Sequence, residues 1–169
     1  MLVGSMLTTL HNNCDRVKIA CLAQLVNVIA PIMTENGGAA WKQTIFYPYM
    51  YASVYGNGDV LKVKSESETY KSKEGWDIAY LCTSVIDNKN GEIIIFATNR
   101  CLDKDMELEI CLGGYENCKL CEHIELYCDD LNAVNTKDSE ALIPKKREIS
   151  DTSPIILKKH SWNMLTFKY

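Results

Sequence analysis

The sequence lacks the motifs of several familiar chemistries. It has no glycine-rich phosphate loop, no H-E-x-x-H helix and no G-x-S-x-G turn, which excludes the common nucleotide-binding, zinc-protease and hydrolase-elbow arrangements. Only 3 of its 169 residues are histidines, and His11, His123 and His160 stand far apart without an evident Ser or Cys partner, so they read as surface or strand residues. Positive charge is scarce as well. With 18 Lys+Arg against 22 Asp+Glu the net charge is -4, which leaves no electrostatic reason to bind nucleic acid or an anionic membrane. The longest apolar stretch, Val17 to Met33, is interrupted by Lys18, Gln24, Asn27 and Pro31. A membrane-spanning helix needs about 20 nearly uninterrupted apolar residues, so the expectation is a soluble chain. The first residues have no basic segment and no small-residue cleavage site, and so do not read as a secretory signal.

What is present is a chain able to build a core, with 47% hydrophobic and 24% charged residues. Its 8 cysteines are many for this length. Cys118 and Cys121 form a C-x-x-C pair, but no second close-spaced pair accompanies them, and Cys111 and Cys128 lie on strand-like stretches. Free thiols are the expected state, with a zinc module as a minor reading. With no Asn-x-Ser/Thr sequon, this points to a reducing, cytoplasmic setting.

Periodicity divides the chain. Val3, Met6, Leu7 and Leu10 recur at helical spacing and predict an amphipathic helix over residues 1–12. That helix starts without a capping signal, as though a fold were entered partway through. Arg16 to Gln24 is apolar on both sides and predicts a central parallel strand. The turn Glu35-Asn36-Gly37-Gly38 precedes an aromatic run of Trp41, Phe46, Tyr47, Tyr49, Tyr51 and Tyr55, read as a second helix, so residues 1–56 follow α/β order. After Gly56-Asn57-Gly58-Asp59 the helical period is lost. Strands are predicted at Val60–Lys64, Ile78–Ile86, Glu92–Thr98, Met106–Leu112, Lys119–Tyr127 and Asn163–Lys168, with an exposed connection over Lys62–Glu74. Residues 57–169 thus read as an antiparallel sandwich.

The residues that suggest chemistry are Trp41 and Gln43. A tryptophan face stacks on the C–H-rich face of a sugar, and a carboxamide both donates to and accepts from hydroxyls. Aromatics at helical spacing also serve as core, and the residues alone leave both readings open. The carboxylates Asp15 and Glu35 suit turns or loops better than an acid/base pair. The basic cluster Lys145-Lys146-Arg147 sits between Glu140 and Glu148 and reads as a solvated loop.

The run Asp15 to Gly56, DRVKIACLAQLVNVIAPIMTENGGAAWKQTIFYPYMYASVYG, closely resembles the end of the catalytic domain in α-L-arabinofuranosidases of glycoside hydrolase family 51. DLNAVNT at 130–136 and Ser161-Trp162-Asn163 resemble landmarks of that family's C-terminal β-sandwich. The resemblance implies a mostly β chain: a jelly-roll-like antiparallel sandwich (57–169) preceded by the last α/β elements of a (β/α)8 barrel (1–56). It implies that residues 16–24 are the final barrel strand, 25–43 its loop at the catalytic face and 43–56 the closing helix. Gln43 would then hydrogen-bond an arabinofuranosyl ring and Trp41 would wall the pocket. Family members retain configuration with two glutamates on earlier barrel strands, in Asn-Glu and Glu-Trp motifs that this sequence does not contain, so no catalytic residue is assigned here. No metal or cofactor is implied. The partner implied is an arabinofuranosyl-containing oligosaccharide, homo-oligomers are expected of the full-length family, and the chain's own N-terminus helps to complete the sandwich. The alternative from another class is a stand-alone β-sandwich that binds carbohydrate or a protein partner without catalysis.

Overall fold

The computed structural model describes residues 1–115, 117–150 and 154–169. Its centre is the run Glu92–Asn99, in which Ile93, Ile94, Ile95, Phe96 and Ala97 are all buried. A strand with both faces covered has no need to alternate apolar and polar residues. It is the seventh of twelve strands: β1 (Ile32–Thr34), β2 (Ala40–Lys42), β3 (Asp59–Leu61), β4 (Thr69–Lys71), β5 (Asp77–Ala79), β6 (Leu81–Asp87), β7 (Glu92–Asn99), β8 (Met106–Leu108), β9 (Lys119–Leu126), β10 (Lys145–Lys146), β11 (Ile155–Leu157) and β12 (Trp162–Lys168). Two helices, α1 (Leu2–Asn12) and α2 (Phe46–Tyr55), complete the described elements.

Six strands form one antiparallel sheet in the order β10-β9-β12-β7-β6-β3. The central pair runs in continuous register from Trp162 opposite Thr98 to Lys168 opposite Glu92. Side chains alternate across this sheet. Ile86, Ile94, Phe96, Ile124, Trp162 and Met164 form a core on one face, where Tyr51 and Tyr55 of α2 join them. Val85, Ile93, Ile95, Leu165 and Phe167 form the core on the other, covered by Leu108, Ile110, Leu112 and Ile155 from β8, β11 and the chain after β8. The short pairs β8–β11 and β4–β5 are antiparallel too, so the architecture is mostly β. The second layer is incomplete, and a cavity of about 940 Å³ opens over that face beside Leu61, Val63, Val85, Ile95 and Met106.

The expected strands after residue 57 fall on β3, β5–β6, β7, β8, β9 and β12. Three short ones escaped sequence reading: β4, inside what reads as an exposed connection, and β10 and β11. The cluster at 145–147 is a short edge strand in place of a loop, with Lys146 paired to Glu122 at 3.1 Å and Arg147 to Glu125 at 3.6 Å. A larger departure lies at residues 16–24, which form no strand. A buried parallel strand takes its backbone hydrogen bonds from neighbours on both edges, and no strand runs beside this segment. It crosses the surface as irregular chain, held in part by Tyr49, whose hydroxyl accepts from Leu22 N at 3.1 Å and donates to Ala20 O at 3.4 Å.

Helix α1 forms where expected but turns a different side inward. Gly4, Ser5 and Thr8 are buried against the sheet, while Met6 of the apolar stripe is exposed. Small residues allow close approach: an added Cβ at Gly4 would lie 2.3 Å from Trp162 Cδ1. Farther along, His11 Nδ1 meets Ser84 Oγ at 3.1 Å and Asn12 Nδ2 donates to Thr83 O at 2.9 Å, tying the helix to β6. His11 is half-buried, while His123 on β9 is buried and bonds Asn163 at 2.9 Å, and His160 is buried with a positive φ of 42°.

Candidate functional site

Trp41 and Gln43 stand on either side of Lys42, at the end of the β1–β2 hairpin and just before α2. Residues 25–43, expected as a loop, include a hairpin that folds back on itself with Met33 opposite Trp41 and Ile32 opposite Lys42. One asparagine clamp and the main chain of Gln43 explain how so short a hairpin holds. Asn27 Oδ1 accepts from Thr34 N at 2.6 Å and its Nδ2 donates to Thr34 Oγ1 at 2.7 Å, while Asn27 N donates to Ile32 O at 2.8 Å. Gln43 N donates to Pro31 O at 2.8 Å, and Gln43 O accepts from Phe46 N at 3.0 Å, which starts α2. Pro48 lies in the first turn of α2, where a missing N–H costs no helical hydrogen bond.

Both candidate side chains are half-buried. Among the described residues, the Gln43 carboxamide makes no hydrogen bond within the chain, so its donor and acceptor are free for another molecule. Neither the 940 Å³ cavity nor a smaller one of about 170 Å³ beside α1 and α2 is lined by Trp41 or Gln43.

The hairpin is held from the far end of the sequence. Lys42 N donates to Glu140 Oε1 at 2.8 Å, and Lys42 O accepts from Asn135 Nδ2 at 2.9 Å. Asn135 also donates to Leu142 O at 3.0 Å and accepts from Leu142 N at 2.9 Å. Glu35, at the hairpin turn, pairs with Lys137 at 3.1 Å. That ion pair accounts for Glu35, and exposed Asp15 lies in a turn, so the structure brings no carboxylate pair together here. Tyr47, beneath the hairpin, has its hydroxyl pushed upward by burial, then by the Glu140 carboxylate and by Tyr51. The contacts of Asn135, Lys137 and Glu140 with the hairpin were not read from sequence; only Asn135 lies within the DLNAVNT landmark.

Among the described residues no three His, Cys, Asp or Glu side chains are grouped to hold a metal ion, and the cysteines form no disulfide. Cys118 packs beneath the second face of the sheet and Cys121 is exposed, which gives the C-x-x-C pair no shared site. No helix is long and apolar enough to cross a membrane.

An antiparallel sheet with covering helices, carrying at its margin a short hairpin with a half-buried tryptophan and glutamine, defines a mostly β unit. Comparison with known proteins makes this specific. The family model described as the α-L-arabinofuranosidase C-terminal domain matches residues 1–161, and the chain belongs to that family. It is 46% identical over 173 residues to the intracellular exo-α-(1→5)-L-arabinofuranosidase 1 of Bacillus subtilis, covering 99% of this chain and 34% of that protein. It is 43% identical over 171 residues to the intracellular exo-α-(1→5)-L-arabinofuranosidase of Acetivibrio thermocellus, covering 98% of this chain and 34% of that one. Among solved structures, the family 51 α-L-arabinofuranosidase AbfB of Bifidobacterium longum superposes with a TM-score of 0.91 at 34% identity, over 99% of this chain and 33% of its own. The α-L-arabinofuranosidase of Thermotoga maritima, at 20% identity and a TM-score of 0.79, shares the fold over 98% of this chain and 38% of its own. The chain thus spans about a third of these relatives and corresponds to their C-terminal portion.

Proposed function

We propose that this chain forms the closing wall of an α-L-arabinofuranosidase pocket, with Gln43 hydrogen-bonding the arabinofuranosyl ring and Trp41 stacking beside it. Residues 1–56 are the end of the catalytic barrel and residues 57–169 the C-terminal sandwich. The acid and the nucleophile of the retaining reaction, two carboxyl groups about 5–5.5 Å apart, come from the two thirds of the enzyme that the relatives possess and this chain does not match. The substrate is a terminal α-L-arabinofuranosyl group on an oligosaccharide, in the cytoplasm, and by itself the chain does not turn it over.

One observation carries this reading. Exposed apolar side chains are densest in residues 1–54: Ile19 is 83% exposed and Val28 79%, and Leu2, Met6, Leu25, Ile29 and Val54 are more than half exposed, beyond scattered ones such as Trp76 and Val134. Covering such side chains is worth roughly 1.5–3 kcal/mol each, and so extensive an apolar face marks an interface. The barrel's remaining strands and helices are the partner whose chemistry fits, and their absence is also why residues 16–24 have no strand neighbours. The groove over the sheet's second face is the complementary place for the N-terminal chain that completes the family's sandwich.

The test is complementation. The chain, produced together with the first two thirds of the Bacillus subtilis relative, should hydrolyse an arabinofuranoside chromogen, and Gln43→Ala should abolish it. Turnover by the chain alone, or full activity of the Gln43→Ala complex, would overturn the reading. Thermal stabilisation of the isolated chain by arabinose without complementation would favour the binding-module alternative.

A further inference from the structure

From the hydrogen bonds that cross between the sandwich loop and the hairpin, we infer that Asn135 and Glu140 are positioning residues for the sugar-facing wall. The inference rests on the reading of Gln43 and Trp41 as that wall and adds to it which part of the molecule sets their place. The β1–β2 pair is only three residues long on each strand and belongs to no larger sheet. An isolated two-stranded hairpin is at best marginal in water, so this one needs outside support to hold a side chain in place. Its support converges on Lys42, the residue between the two candidates. The amide of Lys42 is taken by Glu140 and its carbonyl by Asn135, while the amide of Gln43 is taken by Pro31.

Asn135 is suited to this because it cannot swing. It is 5% exposed, and its oxygen and nitrogen are already engaged with both backbone groups of Leu142, so its remaining donor direction points at Lys42 O. Glu140 supplies a charge-assisted acceptor, stronger than a neutral one. The Lys137–Glu35 pair is half-exposed and weak by comparison, and serves only to bring the loop alongside. Displacing a sugar-contacting group by about 1 Å lowers turnover by as much as about 100-fold, so a residue that never touches the sugar can govern the rate through the peptide it holds. The sandwich thereby acts on the site, as well as lying next to it.

Hydrogen exchange on the chain provides the first test. In Asn135→Ala and Glu140→Ala the peptide covering 40–45 should exchange at least about tenfold faster, with β7 unchanged as the control for folding, and Glu140→Gln, which keeps an acceptor, should recover most of the protection. The second test uses the complemented enzyme described above. Glu140→Ala should lower kcat/KM by about tenfold or more without a matching loss of thermal stability, and Glu140→Gln should restore it, which a residue serving stability alone would not show. Unchanged exchange at 40–45, or unchanged kinetics in Glu140→Ala where Gln43→Ala is inactive, overturns the positioning role. Retained activity in Gln43→Ala overturns the sugar-wall reading itself, and the two failures are thus separable.

Discussion

Replacing Gly4 by alanine sets two effects of known size against each other, and the sign of the outcome reports whether α1 is seated on the sheet. Helix propensity favours alanine over glycine inside a helix by about 0.8–1 kcal/mol. Against this, the new Cβ would sit 2.3 Å from Trp162 Cδ1, 3.0 Å from its Nε1 and 3.3 Å from Thr98 Oγ1. Carbon atoms in contact prefer about 3.5–4.0 Å, so one partner must retreat by an ångström or more. Trp162 has nowhere to go: it is 2% exposed and wedged between Tyr51 and Phe96, whose ring centroids lie 5.6 and 6.1 Å away. The helix must lift, which strains the His11–Ser84 and Asn12–Thr83 bonds. Overpacking of a close-packed core costs about 1–3 kcal/mol, and a contact this close lies in the upper part of that range, about 2–3 kcal/mol, for a net loss of about 1–2 kcal/mol.

Urea denaturation followed by far-UV circular dichroism would read this as a midpoint lowered by roughly 0.5–1 M, and thermal melting as a fall of roughly 2–8 °C. Met6→Ala, on the exposed side of the same helix, should change stability by no more than about 0.5 kcal/mol and controls for helix content. A stabilised Gly4→Ala variant would mean that nothing opposes the Cβ, and the docking of α1 through its small residues would be refuted.

Acid titration offers a second check. Burial is the leading cause that holds both His11 and His123 below the ordinary value of 6.5, and for His123 the bond to Asn163 and the charge of Glu125 oppose it in part. The unfolded chain then takes up protons first, so this contribution is full above 6.5 and declines as pH falls below it. Urea midpoints should drop from roughly pH 7 to pH 5, and His123→Gln should flatten the slope; a midpoint that rises on acidification contradicts the burial. At Gly58, φ is +145° and an added Cβ would meet Asp87 O at 2.0 Å, so Gly58→Ala should cost about 1–3 kcal/mol. An unchanged midpoint there would show that the turn into β3 is open. Tyr127 donates to the Asp129 carboxylate, the main reason its hydroxyl is pushed up to about 12. Difference absorbance against Tyr127→Phe should find that late ionisation, and Asp129→Asn should bring it back toward the usual tyrosine range.

The strand pattern after residue 57 was legible because period-two alternation and turn residues are local signals. Met106-Glu107-Leu108 and the Asp87–Gly91 turn can be read without knowing their neighbours. The strands β4, β10 and β11 were not, since a two-residue strand such as β10 exists only because β9 offers it an edge. Residues 16–24 show the reverse. Their apolar pattern describes a strand buried on two faces, and where no neighbouring strands lie alongside the same residues have no ladder to join. The candidate site divides in the same way. Trp41 and Gln43 stand out by side-chain chemistry and by family resemblance, whereas Asn135 gives no sign of its contact with Lys42, 93 positions earlier.

What composition, spacing and turn chemistry determined unaided was the mostly β character and the position of both helices, because each depends on interactions within a few positions of the chain. Which side of α1 faces inward, what becomes of an apolar segment without neighbours, and which distant loop grips the hairpin were decided only by the tertiary structure. Those outcomes depend on steric fit and on unpaired backbone groups finding partners across space, and no local pattern encodes either.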